Sequence, residues 1–305
     1  MRVIQLAHPA GERVVALGMF DGVHRGHRTL VSSARQLAGE MGVPLRLCTF
    51  NRHPLEVLRP EDPPEMLSTI PEKARELQKL GVDEVELIPF DRKTADLEPE
   101  VFLDRLRSMV NVRAVVAGWN YTFGKQGRGN AELLKEDGKK HGYNVLIVPP
   151  ATLEDGTAIS SSLIRRKLKD GLITEVSALL GYEYSLTGTV AEGKHQGHGL
   201  GFPTANIEPW KRKALPKFGV YTCTLETGDI SLPAVANVGI QPTMPSGKVT
   251  VEAHALKESP ELYGKKVRLT LLDMLREEKR FDSPDALKEQ IEKDRNRALQ
   301  MFGMA

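Results

Sequence analysis

Apolar and polar positions follow two different periods along the first 180 residues. Short β-branched runs predict strands, and they span 14–20, 45–50, 85–90, 113–118 and 144–150. Between them, helical spacing predicts helices over 30–41, 71–80, from 99, over 130–141 and in pieces over 160–180. Strands and helices that alternate in this way predict a parallel sheet with helices on its faces. Ligands of such sheets bind at the carboxyl ends of strands, so the glycine-rich ends of the first and fourth strands are candidate sites.

The pattern changes after Gly181. Five short β-type runs, broken by Gly and Pro, cover 185–192, 219–226, 232–239, 248–256 and 265–275. No helical period intervenes, which predicts an antiparallel sheet or a small barrel. A last helix is predicted to begin at Ser283 and Pro284, a cap followed by Pro in the first turn. The fold class is therefore α/β followed by all-β, with domains predicted over 1–183 and 184–305.

Length and composition agree with a two-domain globular protein. The chain has 305 residues, 40% of them apolar and 27% charged, which excludes a collagenous or disordered chain. No apolar run approaches the roughly 20 residues of a membrane helix, and the first residues lack the apolar core of a signal peptide. Cys48 and Cys223 form no disulfide framework, so we expect a cytoplasmic protein.

The charge is nearly balanced in both halves. Lys and Arg number 25 against 25 Asp and Glu up to residue 183, and 17 against 15 beyond it. Neither half is a basic field, which argues against a nucleic-acid surface, whereas a phosphate site needs only a few donors. We expect small-molecule partners, no nucleic acid, no membrane, and a monomer or weak homo-oligomer.

The segment GMFDGVHRGH (18–27) follows the first strand and opens the first helix. Its glycines permit a tight turn and close approach of a ligand, and the helix start offers free N–H groups to an anion. His24 and His27 are suited to donate to phosphate oxygens that gain charge. Two other interpretations are a polar surface loop and a metal site made by Asp21, His24 and His27. Phosphate binding is favoured, because the segment lies where this fold class binds phosphate and no further ligand cluster is nearby.

The HxGH pattern resembles the nucleotidyltransferase superfamily. The longer segment is similar to the adenylyltransferase half of the bacterial bifunctional riboflavin kinase/FAD synthetase family. Three more segments resemble that family's TFxPHP, GxDFxFG and SSTxIR patterns, namely TFNRHP (49–54), GWNYTFGK (118–125) and ISSSLIR (159–165). Arg52 stands where the family often has Pro, and Asn120 where it often has Asp. The resemblance extends over essentially the whole chain and implies a Rossmann-like parallel sheet followed by an antiparallel β-barrel.

The resemblance implies roles for residues in the first half. His24 and His27 are expected to be catalytic. Residues expected to bind ATP are Gly18, Phe20, Asp21, Gly22, Asn120, Ser161, Ser162 and Arg165. Residues expected to bind flavin are Phe50, His53, Pro54 and Phe123. From the residues alone, the serines are as readily a helix cap and the aromatic side chains are as readily core.

The second half contains GKHQGHGLGFPTAN (193–206), whose glycines make a flexible backbone cradle. It is not a Walker A motif, and a tight barrel turn is the alternative. GFPTAN is similar to the riboflavin kinase signature, and Thr204 and Asn206 supply oxygen ligands suited to Mg²⁺. The expected ATP contacts here are Gly193, Lys194, Gly201 and Pro203. Many relatives have Arg where this chain has His198 and Gly199. The positive charge that balances the phosphates is then expected from Lys194 or the metal ion. A pH dependence of the kinase through His195 or His198 becomes possible.

Glu252 and His254 alternate along a predicted strand and so share one face. If that face lies inside the barrel, Glu252 is a buried carboxylate and a functional candidate; a solvent-facing Glu is the alternative. The resemblance implies that Glu252 is the base for the ribityl 5′-hydroxyl. LREEKRFD (275–282) and the Asn237 segment also resemble family patterns, which makes Asn237, Arg276 and Glu278 expected flavin contacts.

The resemblance implies two reactions that use ATP and Mg²⁺. The carboxyl-terminal domain is expected to phosphorylate riboflavin to FMN, and the amino-terminal domain to adenylylate FMN to FAD with release of pyrophosphate. A different HxGH adenylyltransferase, acting on pantetheine phosphate or nicotinate mononucleotide, leaves 184–305 unexplained. A flavin-binding regulator without turnover is disfavoured by the catalytic and metal candidates, which are all present.

Overall fold

The computed structural model describes residues 2–4, 11–109, 111–191, 204–240, 249–257 and 261–304. The chain divides into two compact units, Met1–Ser161 and Ser162–Ala305. Within the described ranges, no helix is both long enough and apolar enough to cross a membrane.

The first unit is built on a six-stranded parallel sheet. Its strands are β1 (Arg2–Ile4), β2 (Glu12–Leu17), β3 (Leu45–Phe50), β4 (Glu84–Ile88), β5 (Asn111–Gly118) and β6 (Asn144–Val148). Its helices are α1 (Arg25–Met41), α2 (Leu55–Leu58), α3 (Ile70–Lys79), α4 (Arg92–Ala95), α5 (Pro99–Met109) and α6 (Ala131–His141). The strand order is β1-β4-β3-β2-β5-β6. Because all pairs are parallel, the carboxyl ends of β2, β3 and β5 meet at one edge.

Both faces of this sheet are buried, as the near-continuous apolar strands require. Val14 and Ala16 of β2 contribute to the core on the α1 face. Val15 and Leu17 contribute to the core on the opposite face, with Phe102 of α5. The alternation of side chains along β2 thus divides one strand between two cores and holds its carboxyl end in a fixed position.

The second unit begins with α7 (Ser161–Lys169) and α8 (Ile173–Leu180) and continues into a closed antiparallel barrel. The strands are β7 (Ser185–Ala191), β8 (Ala205–Pro209), β9 (Gly219–Thr227), β10 (Ile230–Ile240), β11 (Val249–Ala255) and β12 (Lys266–Glu277). They close in the order β10-β11-β8-β7-β12-β9. Inward side chains such as Tyr221, Cys223, Val251 and Leu269 are at most 1% exposed, so side chains fill the interior.

A final helix, α9 (Pro284–Met301), packs on the outer surface of the barrel. Ser283 caps it by accepting a hydrogen bond from the Ala286 N–H, as the sequence predicted. Ala298 of α9 joins Val220 and Leu275 in a buried cluster outside the barrel wall. The predicted fold class, a parallel α/β sheet followed by an antiparallel barrel with a terminal helix, is confirmed.

Candidate functional site

The loop between β2 and α1 holds a strained backbone. Phe20 and Val23 have φ values of 50° and 40°, in the left-handed region that L-residues avoid. Val23 is β-branched, which makes its conformation unusual, and strain of this kind costs roughly 1–3 kcal/mol per residue. Such a conformation persists only where its surroundings fix it, so the contacts of this loop are informative.

Hydrogen bonds from two other chain segments fix the loop. The Asp21 carboxylate accepts from the backbone N–H groups of Leu67 and Ser68, each at 3.2 Å. The Gly22 N–H donates to Ser68 Oγ at 3.0 Å, and Ser161 Oγ donates to the Asp21 carbonyl at 2.9 Å. The Asp21 side chain therefore joins two chain segments, and its contact with ATP stays a prediction. Within the described part of the chain, no group of three or more His, Cys, Asp or Glu side chains is arranged to hold a metal.

The two histidines stack at the start of α1. Their ring centroids lie 3.7 Å apart with an interplanar angle of 24°. His24 caps the helix, since its Nδ1 accepts from the His27 backbone N–H at 3.4 Å. Neutral His24 therefore carries its proton on Nε2. A Cβ at Gly26 would lie 3.2 Å from the His24 ring, so glycine at this position leaves room for the stack.

His27 is held as a neutral imidazole. Burial, then the charges of His24 and Lys73, keep the pKa of His27 well below its ordinary value. Its Nδ1 is buried and has no hydrogen-bond partner among the described residues. A neutral ring with an unsatisfied nitrogen beside the N–H groups of a 17-residue helix is suited to meet an anion.

Two further predicted segments begin at the same edge of the sheet. After β3, the Phe50 ring packs edge-on against Phe90 at 4.7 Å, and His53 Nδ1 accepts from the Leu55 N–H at 3.1 Å. Pro54 precedes that N–H and opens α2. After β5, Asn120 is exposed, whereas Phe123 is 5% exposed and packs in the core. The structure brings these segments to one edge, while their flavin and ATP contacts stay predictions.

Ser162 and Arg165 lie in α7 of the second unit. Their predicted contacts with ATP are untested.

On the barrel, four predicted residues form one row across neighbouring strands. Arg276 pairs with Val220, Val220 with Asn237, Asn237 with Glu252, and Glu252 with Asn206. This register places Arg276, Asn237, Glu252 and Asn206 on a single belt. Its four members are all partly exposed, whereas the strand neighbours of Asn237, Glu252 and Asn206 are buried and point into the barrel. The belt is therefore on the outer surface of the wall.

The possibility that Glu252 faces the barrel interior is wrong. Val251 and Ala253 are each 1% exposed and point inward, so Glu252 and His254 point outward and are half-buried. The interior is filled with apolar side chains, which leaves the outer face for polar groups. Glu252 remains a candidate there through its neighbours Asn237 and Asn206 on either side.

The end of β12 adds two predicted residues to this surface. Two register shifts in β12 precede Arg276, and such bulges re-aim side chains. Arg276 Nε donates to both carboxylate oxygens of Asp294 on α9, at 2.9 and 3.1 Å. Glu278 lies against Gly239, where any added Cβ would collide with its carboxylate. Gly239 and Asn237 share a face of β10, so Glu278 lies beside the belt.

Comparison with known proteins identifies both units. A FAD synthetase family model matches residues 7–163, and a riboflavin kinase family model matches residues 180–302. The bifunctional riboflavin kinase/FMN adenylyltransferase of Escherichia coli (strain K12) is 35% identical over 293 residues, covering 95% of this chain and 93% of that protein. This chain belongs to the bifunctional riboflavin kinase/FMN adenylyltransferase family.

Other members of that family agree along the full length. The Bacillus subtilis (strain 168) enzyme of the same name is 32% identical over 315 residues, covering 99% of this chain and 98% of that protein. A solved structure described as a macrolide-efflux protein from Streptococcus pneumoniae superposes with a TM-score of 0.88 at 32% identity. It covers 97% of this chain and 98% of its own. The family resemblance drawn from the motifs is thus confirmed.

Several residues that the sequence analysis predicted to bind ATP lie outside the part of the chain that the structure describes. These are Gly193, Lys194, Gly201 and Pro203, together with the neighbouring His195, His198 and Gly199. Their roles stay predictions.

Sequence reasoning missed two polar residues that contact the loop between β2 and α1, Ser68 and Lys73. Ser68 bonds the loop from a segment 46 residues away, which no local pattern reveals. Lys73 did leave a signal, because it shares a helical face with Leu77 and Leu80, where an apolar residue is expected.

Proposed function

We propose that this chain makes both flavin cofactors, with the first unit adenylylating FMN and the second phosphorylating riboflavin. The observation that carries this proposal is the occurrence of both family signatures in one chain, each on its own compact unit. The proposed activity boundaries are 1–183 for adenylyl transfer and 184–305 for the kinase.

In the adenylyl step, the nucleophile is an FMN phosphate oxygen, which is already ionised at neutral pH. It attacks the α-phosphorus of ATP, and the bond to the bridging oxygen breaks so that pyrophosphate leaves with the electron pair. The protein therefore needs to stabilise negative charge with hydrogen-bond donors rather than to remove a proton. The N–H groups at the start of α1, His24 and His27 are the proposed donors, in a loop held by Asp21 and Ser68.

In the kinase step, the nucleophile is the 5′-hydroxyl of riboflavin. Glu252 takes its proton as the oxygen attacks the γ-phosphorus, and ADP leaves. The belt supports this role because Glu252 lies between Asn237, a proposed flavin contact, and Asn206, a proposed metal ligand. Arg276 and Glu278 complete the proposed flavin side.

Thr204 and Asn206 fit the magnesium ion that the family implies. Thr204 lies just before β8 and Asn206 is the second residue of that strand, so the two occupy alternate positions. Both side chains are partly exposed, and both offer neutral oxygen atoms. Glu252 pairs directly with Asn206, so a carboxylate lies next to this donor pair. When bound, the ion supplies positive charge that stabilises the transferring phosphoryl group.

The test is to incubate the purified protein with riboflavin, ATP and Mg²⁺ and to separate the flavins chromatographically over time. We expect FMN to form first and FAD to follow, and a parallel reaction started from FMN to give FAD directly. Omitting Mg²⁺ should stop both steps. Flavin that binds but stays unchanged would support a regulator instead, and FMN without FAD would remove the adenylyltransferase assignment.

A further inference from the structure

Lys73 of α3 is buried beside the strained loop of the first unit. Its side chain lies on the inward face of the helix with only 4% of the residue exposed, and lysine is rarely buried without a partner. Its Nζ donates to the Met19 carbonyl at 2.7 Å. The same carbonyl accepts from Thr49 Oγ1 at 3.0 Å, so both of its lone pairs are used.

The bond to Met19 acts where the chain enters its strained turn. Phe20 follows immediately with a left-handed φ, and the turn then delivers His24 to the start of α1. A charged hydrogen bond is stronger than a neutral one, so Lys73 fixes the Met19 peptide more firmly than Thr49 does. Without it, the strained turn would lose a restraint from the α3 side.

The charge of Lys73 also acts on the loop. Asp21 in the turn favours the charged ammonium, and Lys73 in turn contributes to the lowered pKa of His27. His24 acts on His27 in the same direction. The Lys73 ammonium is thus part of the electrostatic environment of the histidine pair.

The two carboxylates of α3 pair with groups other than Lys73. Glu76 bonds Arg28 of α1 at 3.4 Å and Lys79 at 2.7 Å. Glu72 closes the capping box at the start of α3 with Thr69. The carboxylates on the helix of Lys73 are therefore engaged, and its charge is directed at the loop.

We propose that Lys73 is a positioning residue for adenylyl transfer, which holds the Met19 carbonyl and, as an ammonium, places a positive charge near His27. This inference rests on the adenylyltransferase function proposed above. It gives α3 a role in the reaction, although Lys73 lies outside the sequence motifs at the strand ends.

The proposal has a signature in pH. Burial lowers the pKa of Lys73 to about 8, while Asp21 opposes the shift. As the pH rises through this value the ammonium loses its charge, so kcat/KM for FAD formation should fall. An arginine at this position stays charged throughout the range, and it should remove that alkaline limb.

The experiment compares Lys73→Met, Lys73→Arg and wild type in FAD formation from supplied FMN, across neutral and alkaline pH. Lys79→Met is the matched control, because Lys79 lies on the same helix with its side chain 54% exposed. Riboflavin phosphorylation by the other unit, measured on the same preparations, normalises the amount of active protein.

We expect Lys73→Met to lower kcat/KM of the FAD step by about 10- to 100-fold, the effect of one hydrogen bond to a charged group. Lys73→Arg should recover much of the rate and lack the limb near pH 8, and Lys79→Met should match wild type. A normal rate in Lys73→Met overturns the proposal. If Lys73→Met does not fold, two other results overturn the proposal. One is an alkaline decrease of kcat/KM in Lys73→Arg that matches wild type, and the other is the absence of such a decrease in wild type. Wild type that makes no FAD contradicts the adenylyltransferase function itself.

Discussion

At the residue scale, His27 is the side chain whose removal should separate the two reactions. In the proposed adenylyl step His27 donates to the α-phosphate as charge builds up, and losing one such donor typically costs about 10²–10³ in rate. We expect His27→Ala to lower FAD formation by that factor and to leave FMN formation unchanged, both assayed on one preparation. His141→Ala is the control, since His141 is an exposed histidine at the end of α6. Equal losses in both reactions would indicate misfolding rather than a catalytic role.

Glu252 should do the reverse. A primary hydroxyl is a poor nucleophile at neutral pH, and a positioned base typically contributes about 10²–10⁴-fold. Glu252→Gln keeps the shape and removes the basicity, so riboflavin phosphorylation should fall by that order while FAD formation from FMN continues. Glu226→Gln tests specificity, because Glu226 is another barrel carboxylate, paired with Arg268 at 3.4 Å. Near-normal FMN production by Glu252→Gln would make it a structural strand residue.

The sequence predicted where the motif residues lie along the strands and helices but not which way each side chain points. The order of strand, Gly-rich turn and helical pattern along the sequence was enough to place His24 and His27 at the start of a helix. The direction of Glu252 depended on which face of β11 closes the barrel. Val249, Val251, Ala253 and Ala255 form the apolar face, and that face points inward. The inward bonds of Asp21 depend on Leu67 and Ser68, which are distant in sequence.

At the element scale, strong periods were predicted well and short strands were missed. The run LRLCTF coincides with β3, and α3 begins within one residue of its predicted start. β1 has three residues at a sheet edge, too few to show a period. β8 begins at the end of the GFPTAN segment, where Pro and Gly pointed to a turn, and it forms because its neighbours β7 and β11 pair with it.

The ion pair between Asp294 of α9 and Arg276 of β12 is expected to stabilise the attachment of α9 to the barrel. Asp294 is 7% exposed and binds the Arg276 guanidinium from the helix side. Asp294→Asn leaves that guanidinium without its counter-charge, and we expect a loss of about 1.5–3 kcal/mol in the free energy of unfolding of the second unit. Urea denaturation followed by residual kinase activity measures it. Because Arg276 would also shift, KM for riboflavin should rise.

The control for this prediction is on the same helix. Glu289 pairs with Lys293 at 2.6 Å, but both side chains are well exposed, at 68% and 64%. Solvent screens such pairs, so Glu289→Gln should behave like wild type in the same assay. Equal effects of the two substitutions would mean that the Asp294 bond does not anchor α9.

At the scale of the whole molecule, α7 and α8 raise the question of where the kinase begins. The sequence predicted a boundary at 183/184, whereas the compact units divide at 161/162 and the riboflavin kinase match begins at residue 180. α8 packs on β12, and the Leu168 carbonyl accepts from the Lys217 N–H at 3.0 Å. Gly171 lies against Met274 and Lys217, where a Cβ would come within 2.7 Å of the Met274 sulfur. The two helices are thus part of the second unit.

Two fragments, 162–305 and 184–305, should therefore differ in stability but not in chemistry. Both contain the barrel and Glu252, so both should phosphorylate riboflavin and neither should make FAD. Only the longer one keeps α8, whose Ile173, Val176 and Leu180 are at most 1% exposed in the full chain. Burying one such side chain is worth about 1.5–3 kcal/mol, so the longer fragment should unfold at a clearly higher urea concentration. Equal midpoints would show that α8 adds nothing to the barrel. If neither soluble fragment phosphorylates riboflavin, the kinase does not reside in this unit alone.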